Sequence, residues 1–187
     1  MQQLKMQAFT ADRAEERKLP LGYFFEGFND SEKDVADWKA IMSESPFLAL
    51  EDPDACYQAM IVKFPDCNPK QDIWFVCNEK GERVASITMI THSDGSGYVH
   101  MVKAKLSEQG KGIGHAMVRY ALRVFAERGV DRVVLTTDDF RVAAIKTYLD
   151  AGFVPVIYKD PESDMQQRWD AVLKKLNYDV QRIVAQD

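Results

Sequence analysis

Three glycines fall within five residues of the segment Gln109-Gly110-Lys111-Gly112-Ile113-Gly114. Glycine costs a helix about 1 kcal/mol relative to alanine, so this run implies either a tight turn or a backbone that something must approach closely. The first turn of a helix has unpaired N–H groups and the positive end of the helix dipole. Glycines there open a nest that holds a pyrophosphate with few cationic side chains. Lys103, Lys105 and Lys111 flank the segment, either as ordinary solvated lysines or as further positive charge for phosphate groups. Two nucleotide patterns are excluded: there is no G-x-x-x-x-G-K-[ST], and the preceding strand ends an antiparallel run rather than opening a βαβ unit. His92, His100 and His115 lack metal-ligand spacing, and no metal is expected. Cys56, Cys67 and Cys77 are odd in number and have no two-residue spacing, and read as free thiols of a reducing cytoplasm.

The elements that must position this loop follow from hydrophobic period. Residues 112–127 put Ile113, Met117, Ala121, Val124 and Phe125 on one helical face, and Gly129 stops the helix. Upstream, 72–77, 83–91 and 98–105 read as three consecutive antiparallel strands joined by turns at 78–81 and 93–97. Downstream, a strand at 131–137, a helix at 141–151, a strand at 153–158 and a helix at 164–176 alternate. Residues 178–184 alternate like a strand that pairs either with its own sheet or with a second copy of the chain, so a homodimer is expected. Nearer the N-terminus, 21–28 reads as a strand and 32–42 as a helix capped by Asp30 or Ser31, with a short helix between Pro53 and Phe64. The class is α+β, a mixed sheet with helices on its faces.

Composition sets the outer bounds. The 187 residues carry 24 Lys+Arg against 29 Asp+Glu, a net charge of −5, with 46% hydrophobic residues, enough for one domain over 1–187 with its own core. An acidic balance gives no footprint for nucleic acid. No apolar run approaches the ~20 residues that span a bilayer. The N-terminus passes at once to Asp12, Arg13, Glu15 and Glu16 without an apolar leader, so a cytoplasmic location is expected and neither membrane nor nucleic acid is a partner.

Gln109-x-x-Gly112-x-Gly114, preceded by the strand YVHMVKA, resembles the [RQ]-x-x-G-x-[GA] signature of the GNAT superfamily of acyl-coenzyme A dependent N-acetyltransferases. At matching distance, LTTDDFRVAAIKTYLDAGFVPV is similar to that family's following strand, its helix with Ala-Ile and a Tyr, and its Gly-Phe and closing strand. The resemblance implies a three-layer α/β/α fold around a mixed, mainly antiparallel sheet with one splayed strand pair. Residues 81–160 would be the acyl-CoA-binding core, 1–80 the substrate side and 161–187 a C-terminal helix and tail. It further implies acetyl-CoA as co-substrate: the backbone of Val102, Lys103 and Ala104 along the pantetheine arm, and the N–H groups of Gln109, Gly110, Lys111, Gly112, Ile113 and Gly114 on the pyrophosphate.

By the same resemblance Tyr148 takes the place of the phenol that protonates the departing thiolate, a task suited by a pKa close to that of a thiol. Period two places Tyr98, His100, Val102 and Ala104 on one face of the strand before the loop. His100 titrates near neutrality, and either it or water accepts the amine's proton. Arg141 stands where many members carry Asn; it either pairs locally or reaches a coenzyme phosphate. Asp138 and Asp139 end a strand beside the expected acyl site, either drawing in a cationic amine or, for Asp139, capping the next helix. Glu26 lies among Phe24, Phe25 and Phe28, which form either core or an aromatic groove for an amine. The expected activity is acetyl transfer from acetyl-CoA to a primary amine of a small molecule or peptide by direct attack in a ternary complex. A catalytically silent acyl-CoA sensor is the alternative, and it would be free to lose Tyr148.

Overall fold

The computed structural model describes residues 2–13, 15, 17–44, 52–158 and 163–184. Eight strands form one mixed sheet: β1 (Leu4–Phe9), β2 (Phe24–Gly27), β3 (Ile73–Cys77), β4 (Arg83–Thr91), β5 (Gly97–Ala104), β6 (Arg132–Thr137), β7 (Val154–Ile157) and β8 (Ile183–Val184). Their spatial order is β2-β3-β4-β5-β6-β1-β7-β8. The helices are α1 (Glu32–Ser43), α2 (Pro53–Tyr57), the single turn α3 (Pro69–Asp72), α4 (Ile113–Glu127), α5 (Val142–Asp150) and α6 (Met165–Leu176).

The antiparallel run β3-β4-β5 forms as the periodicity predicts. Strand β4 is buried along nearly its whole length, because helices cover both faces of the sheet there. One apolar cluster joins α4, α5 and α6 to the sheet; a second gathers Trp38, Ile41 and Met42 of α1 against Phe28, Ile73 and Phe75. Helix α1 starts where the sequence places it: Ser31 accepts from the Asp34 N–H while the Asp34 carboxylate accepts from the Ser31 N–H, a reciprocal cap. The helix after Pro53 exists, and it widens from α2 into a π-turn over Gln58–Val62.

Two features depart from the sequence reading. Residues 4–9 form an interior strand that inserts between β6 and β7, antiparallel to both, with Leu4, Met6 and Ala8 buried on alternate positions. The C-terminal alternation of 178–184, by contrast, yields only Ile183–Val184, a parallel edge pair with β7. Because β1 lies on the β6–β7 side and β2 at the opposite edge, the connection between them crosses the molecule.

Buried charge ties the outer strands to α1. Arg83 of β4 is stacked on Phe75 and donates to Glu26 (2.8 Å), Asp34 (2.5 Å) and Asp37 (3.0 Å). Burial opposes ionisation of Asp34, but bonds from Asn29, Ser31 and Arg83 outweigh it and hold its carboxyl below the usual range.

Candidate active site

The β5–β6 pair is parallel and makes contact only at its start, Gly97 opposite Val133 and Tyr98 opposite Val134. Beyond Tyr98 the two strands part, so the backbone of residues 99–104 has a strand partner on the β4 side alone. Pairing with β4 runs from Thr88 opposite His100 to Ser86 opposite Lys103, one residue more on β5 than on β4, and Met101 takes a positive φ of 47°. That is a bulge, and it reverses which face later side chains occupy. Val102 and Ala104 therefore turn to the cluster under α4, while Met101 packs toward α1 and Lys103 donates to the Met42 carbonyl of α1. The expectation that Tyr98, His100, Val102 and Ala104 share one face is corrected by this bulge. Strict period two cannot survive an inserted residue.

At the end of β5 a 3₁₀ turn, Leu106–Glu108, leads into the glycine segment and α4. Gly110 and Gly112 hold φ of 77° and 83°, and Gly112 is the N-cap of α4 with no side-chain cap. The Gln109 N–H donates to the Leu106 carbonyl and is thereby spent. From Gly110 to Gly114 no N–H meets an acceptor among the described residues, and the first turn of α4 carries no carboxylate. Five consecutive free donors at a positive helix end fit a phosphate-bearing ligand. Lys111 spends its charge locally, donating to Glu108 (2.9 Å) and to the Tyr23 hydroxyl (3.2 Å).

Tyr148 of α5 is buried, edge-on to Phe153, and its phenol has no hydrogen bond among the described residues. Burial pushes its pKa up to about 12; Arg141 opposes that shift and Tyr98 adds to it, so both lie within electrostatic reach of the phenol. Arg141 pairs with Asp138 (3.1 Å), and its N–H donates to the Asp138 carbonyl, so of the two readings of Arg141 the local pair is formed. Helix α5 has no side-chain cap: Asp139, a candidate for that role, instead pairs with Arg168 of α6. Gln3 of the N-terminal segment donates to Asp138 and accepts from Thr136, which also meets the Tyr98 hydroxyl at 2.9 Å.

His100 does not stand free. Its Nε2 donates to the Met60 carbonyl at 2.9 Å and its ring stacks on Phe64 at 4.1 Å, so the imidazole fastens the π-turn to β5. Desolvation lowers its pKa to about 4, against the bond to Met60, and His92 adds to the fall. Of the two readings, His100 or water, burial and the bond to Met60 count against the imidazole, because a neutral, engaged ring is a weak base. Lys103, also desolvated, falls to about 8. Glu26 is not brought to the splay: it sits on edge strand β2 and accepts from Arg83 and the Cys77 thiol. His92 and His115 pair with Asp66 and Asp150.

One residue near the loop has no signal in the local sequence. The guanidinium of Arg17 lies over Gly112, its Nη2 3.1 Å from where a Cβ on that glycine would stand. Only the crossing of 10–23 reveals this proximity.

The Acetyltransferase (GNAT) family profile matches residues 17–153. A mycothiol acetyltransferase of Beutenbergia cavernae is 32% identical over 85 residues, 45% of this chain and 29% of that protein. Among solved structures, a GCN5-related N-acetyltransferase from Sphaerobacter thermophilus has a TM-score of 0.60 at 18% identity, covering 81% of this chain and 47% of the other. A GNAT-family acetyltransferase from Colwellia psychrerythraea has a TM-score of 0.60 at 15% identity, covering 82% and 53%. The chain thus spans under a third of that curated relative and about half of each of these structures. The structural likeness carries the fold alone, whereas the family profile covers both the glycine loop and the tyrosine helix over well more than half the chain; this protein belongs to the GNAT acetyltransferase family.

Proposed function

We propose that this protein is an N-acetyltransferase that moves an acetyl group from acetyl-CoA to a primary amine of a small molecule or peptide by direct attack in a ternary complex. The observation that carries this reading is the buried Tyr148, whose phenol has no hydrogen bond among the described residues, in the same half of the sheet as the splayed β5–β6 pair and the free-donor loop. Acetyl-CoA supplies a thioester carbonyl: the amine nitrogen bonds to that carbon and the C–S bond breaks, leaving an amide and a thiolate. Gly110 to Gly114 hold the pyrophosphate through their N–H groups, and the unpaired side of Val102, Lys103 and Ala104 takes the pantetheine amides.

Tyr148 then delivers its proton to the sulfur and is reprotonated from solvent. Burial pushes the phenol up to about 12, so it stays protonated and is able to donate when the thiolate departs. The amine's own proton passes to water, since His100 is engaged and its pKa is depressed. The acceptor lies along the aromatic shelf of Tyr98, His100 and Phe64, with Asp138 and Arg141 as its polar end.

The test is thiol release from acetyl-CoA across a panel of primary amines. At least one amine is turned over, and Tyr148→Phe keeps coenzyme binding while kcat falls by about 10²–10⁴. Coenzyme binding without turnover of any amine, or Tyr148→Phe at the wild-type rate, refutes the reading; the first result would favour the silent sensor.

A further inference from the structure

The segment that crosses from β1 to β2 is fixed at both ends against α4 and its loop. Arg119 of α4 donates to the Glu15 carbonyl at 3.0 Å. Leu19 and Tyr23 pack on the main core, the Tyr23 N–H closes a turn onto the Pro20 carbonyl, and the Tyr23 hydroxyl donates to Glu108 at 2.6 Å. Between these anchors the exposed Arg17 reaches over Gly112. Among the described residues its guanidinium has no hydrogen-bond or ion-pair partner.

A cation held at the positive end of a helix, over free N–H donors and a first turn of α4 that carries no carboxylate, is electrostatically unfavourable by itself. An anion bound in the loop removes that cost, since it would accept from the N–H groups and pair with the guanidinium together. Lys111 is already neutralised by Glu108 and is a poorer candidate for this role. We propose that Arg17 is a coenzyme-binding residue that clamps the pyrophosphate from the side opposite the glycine loop, so that the β1–β2 crossing segment is part of the coenzyme site. This rests on the acyl-coenzyme A reading above and adds a residue outside the motif that suggested it.

The experiment is calorimetric titration of CoA and of dephospho-CoA, which keeps the pyrophosphate and lacks the 3′-phosphate, into the full chain, Arg17→Ala and Arg17→Lys. Arg17→Ala raises Kd about tenfold for both ligands, Arg17→Lys less, and added salt weakens wild-type binding more steeply than that of Arg17→Ala. Melting temperatures without ligand do not fall in Arg17→Ala, because among the described residues the side chain has no bond to lose and its charge opposes the helix dipole. Unchanged or tighter CoA binding by Arg17→Ala overturns the proposal, tighter binding meaning that the guanidinium plugs the loop. A loss confined to CoA also overturns it, assigning Arg17 to the 3′-phosphate. Both results leave the acyl-coenzyme A reading standing, whereas a folded wild type that ignores CoA at millimolar concentration overturns the two together.

Discussion

Replacing His100 by Gln tests whether this imidazole is a base or a fastener. The amide of Gln can still donate to the Met60 carbonyl, but it cannot titrate. In the folded chain the imidazole titrates at about 4, and in the unfolded chain near its ordinary 6.5. Between those values the unfolded chain binds one proton that the folded chain does not, so stability rises with pH there. The contribution is complete above pH 6.5, falls by about 1.4 kcal/mol per pH unit on acidification, and totals about 3 kcal/mol by pH 4. Urea denaturation at steps between pH 7.5 and 4.5 measures it: wild type loses stability in that window more steeply than His100→Gln by about one proton's slope. Parallel curves would refute the buried, neutral imidazole. The same variant separates the catalytic roles, since a fastener replaced by a donor of similar reach keeps kcat within about tenfold, whereas loss of a general base costs about 10²–10⁴. A fall of that second size, with the acid limb of the pH–rate profile abolished, would restore His100 as the base.

Two further outcomes follow from packing. Arg83→Ala strands the Asp34 carboxylate in a buried site and costs about 3–5 kcal/mol, lowering the melting temperature by about 2–4 °C per kcal/mol; the double variant with Asp34→Asn recovers part of it, and a melting temperature equal to wild type refutes the network. Gly110→Ala and Gly112→Ala each force a Cβ onto a left-handed backbone at about 1–2 kcal/mol. Equal losses are expected in thermal melts, because the Cβ of Gly110 meets open space and that of Gly112 meets only the mobile end of Arg17. Coenzyme affinity falls further in Gly112→Ala, and equal affinities in the two variants would contradict the contact.

What the sequence discloses is what local pattern encodes. The strands β3 to β6, the cap at Ser31 and the glycine loop each depend on neighbours in the chain, and each appears within a few residues of its expected bounds. Leu4, Met6 and Ala8 carried the period-two signal of a strand, but nothing nearby says that the strand inserts between β6 and β7. The bulge at Met101 is invisible because an inserted residue leaves composition unchanged while exchanging the faces of all that follow. Charge at Glu26 and Asp139 reads as available for a substrate until the partners Arg83 and Arg168 arrive from distant elements. His100 shows the same limit for titration: the residue type fixes the ordinary pKa, and burial lowers it against the bond to Met60.

The interior position of β1 and the Arg17 contact are two consequences of one connection. A strand seated between β6 and β7 and followed by a strand at the far edge leaves their connection no route except across the molecule, and the anchors at Glu15 and Tyr23 place it against α4 and the loop before it. Docking of this segment and occupancy of the loop are therefore linked equilibria. An anion that pairs with Arg17 stabilises the docked segment by the same free energy by which docking tightens the anion. The guanidinium, which has no partner among the described residues, gives that coupling its sign: without a ligand, Arg17 opposes the helix dipole and weakens docking, and with one it reinforces it. The prediction that separates this from a passive crossing is local, namely that coenzyme raises amide-exchange protection at residues 17–23 in wild type and does so less in Arg17→Ala.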